Sequence, residues 1–99
     1  MNAATSVSPR LHLLARAAAA GDGNATERLL QHAYVHVSRY YRSWLADFPG
    51  GSALADELAQ EALVRIARRP VAAEARADAD VVTTWLAVAR DLACEVVAG

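Results

Sequence analysis

Apolar residues in this chain recur every three to four positions, in four blocks separated by short breaks rich in glycine, proline or acidic residues. Each block predicts an amphipathic helix. The first carries Leu11, Leu14, Ala15 and Ala18 on one stripe. Ser8 and Pro9 read as its N-cap and first helical residue, and Gly21 as its left-handed end. The second carries Leu30, Ala33, Tyr34, Val37, Tyr41, Trp44 and Leu45. Asn24 and Glu27 have capping-box spacing at its start, and it is expected to run to about Asp47, a length of about 36 Å. Pro49-Gly50-Gly51 predicts a turn.

The third block repeats Leu54, Leu58, Ala62 and Ile66. Ser52 or Ala53 is expected to open this helix and Pro70 to close it. Arg65, Arg68 and Arg69 fall in its last turns, where the helix dipole favours cations. Residues 70–80 form an alanine-rich connector in which Glu74, Asp78 and Asp80 outnumber Arg76. Asp80 is the expected cap of a fourth helix, whose stripe is Val81, Trp85, Val88, Ala89, Leu92 and Val96. No segment alternates with period two. The expected fold is therefore all-α: a compact bundle of four helices with the first one short, spanning residues 9–99 behind a flexible tail of residues 1–8. Trp44 and Trp85 are expected to be its largest buried side chains.

Composition sharpens this picture. At 99 residues and 55% hydrophobic, much of it alanine, the chain suits one domain with a wide but thin core. The single cysteine, Cys94, leaves no internal disulfide and agrees with a reducing cytoplasm. No apolar run approaches the ~18 residues that span a membrane, and the N-terminus lacks the charge pattern of a signal peptide. The formal net charge of −1 is a weak electrostatic start for a nucleic-acid binder.

The outer face of the third helix is the first candidate site. Glu57, Gln60, Glu61, Val64 and Arg68 follow one another at helical spacing, away from the apolar stripe. An acid and amide cluster around one exposed valine suits a protein partner. A merely solvated face more often carries scattered charges.

The run Asp56-Glu57-Leu58-Ala59-Gln60-Glu61-Ala62-Leu63 resembles the acidic-acidic-Leu-x-Gln-Glu-x-aromatic signature of bacterial sigma factors of the extracytoplasmic-function type. A second likeness is Trp85-Leu86, Ala89-Arg90, Leu92-Ala93 and Glu95, similar to the family's Trp-Leu-x-x-x-Ala-Arg-Asn-Leu-Ala-x-Asp helix. A third runs from Leu13 to Asp22 and on to Glu27-Arg28-Leu29. Together they cover residues 11–97, in the family's order. The resemblance implies the fold of conserved region two. It implies that Glu57, Gln60, Glu61, Val64 and Arg68 bind the clamp helices of core RNA polymerase. It also implies that the fourth helix faces the displaced, non-template strand of promoter DNA, through Thr83, Thr84, Arg90 and Asp91, and it admits an anti-sigma factor as a further partner.

Several positions depart from the family. Glu57 stands where Asp is usual, and Leu63 where a larger apolar or aromatic residue is usual. Asp91 replaces the usual Asn, putting an anion where an amide would read a base. The basic run that follows this helix in the family is replaced by Val96-Val97-Ala98-Gly99. The family's second helical domain, a helix-turn-helix, does not follow, so a fragment, a truncated form or a divergent stand-alone module is expected.

Other groups carry less. Arg39, Tyr40, Arg42 and Ser43 mix cations and aromatics on the second helix and suit either a nucleic-acid backbone or plain surface. His32 and His36 have the i, i+4 spacing of two metal ligands, but no third ligand is evident, and a solvated face is the expected reading. Cys94 has no activating neighbour in sequence. No nucleophile motif, phosphate loop or metal signature is present, so neither catalysis nor a cofactor is expected. Two readings remain: a sigma-factor-like module, and a helical interaction protein without DNA binding. The second would compete for polymerase, or pair with a partner or itself through Val64, Val81 and Val82.

Overall fold

In a computed structural model, residues 10–68 and 76–98 are described. They form four helices: α1 (Leu11–Ala19), α2 (Gly23–Trp44), α3 (Gly51–Arg68) and α4 (Asp78–Ala98). The all-α bundle is as expected. The tail of residues 1–8, the Ser8-Pro9 cap, Arg69, Pro70 and most of the 70–80 connector lie outside the described residues.

Each helix starts and stops for a local reason. The α1 end is a Schellman motif: Gly21, at φ +103°, donates to the Ala18 carbonyl and Asp22 donates to Ala17. Asp22 then serves as N-cap of α2, its carboxylate accepting from Asn24 N–H at 3.0 Å and Ala25 N–H at 3.1 Å. The capping box expected at Asn24 does not form, because Asn24 already lies inside the helix. An ionised carboxylate at the positive helix end is stabilised further by the dipole.

α2 stops at Trp44, about a turn before the expected end at Asp47. Pro49 disfavours helical backbone at Phe48, and the chain instead tightens through Phe48 N–H to Leu45 C=O and Gly51 N–H to Phe48 C=O. Gly51 opens α3 a residue earlier than expected, pressed so closely on Leu45 that a Cβ there would collide with the Leu45 carbonyl oxygen. α4 starts at Asp78. Asp80 is therefore not its N-cap but its third residue, reaching back to accept from Arg76 N–H at 2.9 Å and Ala77 N–H at 3.1 Å.

The core is an i, i+4 ladder on α2 (Ala25, Leu29, Ala33, Val37 and Tyr41) that meets the alanine-rich inner face of α3 and the inner face of α4. Ala55, Ala59 and Ala62 on α3 and Ala89 on α4 are fully buried, which lets the helix backbones approach closely. Trp85, at 0% exposure, fills the centre. Its Nε1 is buried without a hydrogen-bond partner among the described residues, and the His36 ring lies 5.7 Å from it, centroid to centroid, tilted by 43°. Tyr41 is equally buried and donates its hydroxyl to the Ala89 carbonyl at 2.7 Å, joining α2 to α4. Burial pushes the Tyr41 phenol up to about 12, so it stays a donor.

Two expected core residues lie outside. Trp44 is 42% exposed, because it leaves the Val37–Tyr41 ladder and continues the flank of His36 and Tyr40, where α4 runs alongside but leaves one side open among the described residues. Val96 is 44% exposed, within the last turn of α4, where residues 94–98 are all exposed. Conversely, Val81 is fully buried and so not available to a self-association patch, while Val82 is half-buried and packs in part against the core.

Candidate functional site

Inward and outward residues alternate on α3 with helical spacing. Ala55, Leu58, Ala59, Ala62 and Ile66 are buried, and Leu54 and Leu63 pack partly against them. On the opposite side Glu57, Gln60, Glu61 and Arg68 are exposed, and Val64 is 42% exposed. All five residues expected on one outward face are there.

Arg65 borders this face and ties it to α4. Its guanidinium forms a two-pronged pair with the Glu95 carboxylate, at 2.6 and 2.8 Å, and lies 3.5 Å from Glu61. The hydrogen bonds to Glu95 hold the guanidinium protonated and hold the Glu95 carboxyl below its ordinary range. Bidentate pairing fixes angle as well as distance, so this exposed pair ties α3 to α4 in one geometry.

At the other end, Asp78 in the first turn of α4 accepts from the backbone N–H of His12 at 3.2 Å and lies 2.8 Å from its Nδ1. Partial burial of Asp78 disfavours its charge, but the His12 hydrogen bonds outweigh this and hold the carboxyl below its usual range. One carboxylate thereby caps α1 and anchors it to α4.

The residues expected to face DNA spread over about 120° of the outward side of α4. Thr83, Arg90 and Asp91 are exposed, while Thr84 is half-buried and donates its hydroxyl to the Asp80 carbonyl at 2.9 Å. Asp91 opens on the α3 side, into a cleft of about 440 Å³ shared with Arg65, Arg68, Val88 and Glu95. Arg90 points the other way, toward α2. There it lines a cavity of about 370 Å³ with Tyr40, Trp44, Ala93, Cys94, Val97 and Ala98. A neighbouring cavity of about 490 Å³ shares Tyr40 and Trp44 and adds His36, Arg39, Ser43 and Leu86.

This α2–α4 groove joins two candidates that look separate in sequence: the Arg39–Ser43 patch and Arg90. Arg42 is not part of it, since it turns to α3 and pairs with Asp56 at 3.2 Å. The i, i+4, i+8 spacing of His36, Tyr40 and Trp44 carried the signal for its α2 wall. The two histidines are half-buried rather than solvated, and burial, with Arg39 and His32 nearby, lowers the His36 pKa. Among the described residues no group of three or more His, Cys, Asp or Glu is placed to hold a metal ion, and no helix is long and apolar enough to cross a membrane. No family model, curated protein or solved structure matches this chain.

Proposed function

We propose that the chain is a sigma-factor-like module, of the region-two type, working in the cytoplasm. It docks on core RNA polymerase through Glu57, Gln60, Glu61, Val64 and Arg68, and takes part in promoter recognition and melting through Thr83, Thr84, Arg90 and Asp91. The observation that carries this reading is the division of α3. Its inner residues are fully committed to the core, and the Gln60-Glu61-Val64 surface is left outside with no packing duty. No bond is made or broken on the protein. Its work would be to hold unstacked bases of the displaced strand, offsetting the cost of opening the duplex. The Arg65–Glu95 fork supports that role by holding the α3 face and α4 in one geometry.

The experiment compares Val64→Asp and Arg90→Glu with the parent chain. Val64 is exposed, so the folded helix content is unchanged, while polymerase binding falls at least about tenfold on charging the centre of the face. Arg90→Glu abolishes binding to single-stranded promoter DNA. Polymerase binding that survives both Val64→Asp and Glu61→Arg rejects the reading.

A second reading, an interaction protein that engages polymerase or another protein without touching DNA, is favoured by one observation. Asp91 sits beside Glu95 in the α3–α4 cleft, in a chain of net charge −1. Loss of polymerase binding in Val64→Asp, with no single-strand binding by the parent chain, selects it.

A further inference from the structure

The α2–α4 groove is apart from the α3 face. α2 and α4 run parallel along it: His36 lies against Trp85, Tyr41 bonds to Ala89, and Trp44 shares a cavity with Arg90, Cys94 and Val97. From Leu86 to Val97 the α4 wall is roughly 16 Å long, about three turns of helix. The lining is mostly apolar. Trp44 is 42% exposed and Val97 72%, with Tyr40, Leu86 and Ala93 between them. Arg39 stands on the α2 rim and Arg90 on the α4 rim. Neither forms an ion pair among the described residues, and no described carboxylate lines either cavity.

We infer that this groove is a docking site for an amphipathic helix of a protein partner, one with an apolar stripe and acidic flanks. The groove has the make-up of a protein interface: aromatic anchors in an apolar centre and guanidiniums at the edge. A helix laid in it would cover Trp44 and Val97 with its i, i+3, i+4 and i+7 residues, and its flanking carboxylates would pair with Arg39 and Arg90. Charge complementarity sets the sign of the partner. An acidic flank meets two cations that have no ion-pair partner among the described residues. A nucleic-acid strand reaching Arg90 would share that rim, but the groove itself is mostly apolar and its two cations neutralise few phosphates.

The test is a display selection against the folded full chain. The library presents helical peptides of about four turns, with a fixed leucine stripe and randomised flanks. Enriched clones carry Asp and Glu on both flanks, and their binding shifts tryptophan emission to the blue through Trp44, since Trp85 is already fully buried. Trp44→Ser and Arg39→Glu each weaken the best clone at least about tenfold. Val64→Asp leaves it unchanged, so the result is independent of the polymerase-docking reading. Failure to enrich any clone that distinguishes the parent chain from Trp44→Ser overturns the inference, as do basic or uncharged flanks. Two other results reassign the groove and overturn it as well. One is an oligo-dT strand that quenches Trp44 and binds more tightly than the best peptide. The other is a dimer of the chain in sedimentation that Val97→Asp dissociates.

Discussion

The two tryptophans occupy opposite situations. Trp85 lies at the meeting point of the bundle with no exposed surface, and Trp44 stands on the rim of the α2–α4 groove, 42% exposed. Both sit in helices at apolar spacing, and nothing in their immediate sequence separates them. What separates them is the number of neighbours available. Trp85 faces the centre of the helix array. Trp44 sits on the α2 flank shared with His36 and Tyr40, where α4 runs alongside but leaves one side open among the described residues. Helical periodicity says which residues share a side; only the assembled bundle says which sides are covered.

Substitutions at the two positions give the largest test of this contrast. Trp85→Ala should cost about 3–5 kcal/mol in urea or thermal unfolding, a large share of the ~5–15 kcal/mol that holds a small domain together. Trp85→Phe should cost much less, because the lost indole N–H is a donor without a partner. Trp44→Ala should change stability by less than about 1 kcal/mol, in the range of surface substitutions. Equal losses at the two sites would erase the distinction.

Gly51→Ala probes the close approach at the α2–α3 turn. Its Cβ meets the backbone oxygen of Leu45 rather than a movable side chain. A loss of about 1–3 kcal/mol is expected, as for overpacking, and an unchanged midpoint in chemical denaturation would show that the turn can open. Tyr41→Phe removes the hydroxyl that joins α2 to α4 beneath the groove, and leaves the ring in place. The expected cost is about 1 kcal/mol, measured with the groove cavities still formed by Trp44 fluorescence.

The smallest effect is a pH dependence at the far end of the bundle. The Asp78 carboxyl is held below its ordinary range in the folded chain, so its stabilising contribution is fully present above the unfolded carboxylate range. It is lost as the pH falls through the folded value. Amide exchange in α1 should therefore accelerate below about pH 4, and Asp78→Asn should remove that acid-dependent step. Acid sensitivity that persists unchanged in Asp78→Asn would assign it to other carboxylates.

Much of the architecture was legible before any coordinates. Four apolar blocks became four helices, Gly21 ended the first, and the outward set Glu57, Gln60, Glu61, Val64 and Arg68 is outward. These features depend on local spacing, which one strand of sequence displays. Cap identity was harder. Asn24 and Glu27 match a capping box, yet Asp22 took the position because Gly21 ends α1 immediately before it. The groove was invisible for a different reason. Its walls come from Tyr40 and Trp44 on one helix and Arg90, Cys94 and Val97 on another, and their meeting depends on α2 and α4 lying parallel. The split of Arg90 from Asp91, adjacent in sequence, has the same origin: successive residues on a helix differ by about 100° in direction.

The unequal grip of Arg65 gives the α3 face a practical property. Glu95 holds the guanidinium by two short contacts, and Glu61 touches it at 3.5 Å. A visitor bearing its own cation can draw the Glu61 carboxylate away without orphaning Arg65, which keeps its tighter partner. The latch between the two helices thus survives an encounter that rearranges the surface, and recognition there need not loosen the scaffold underneath.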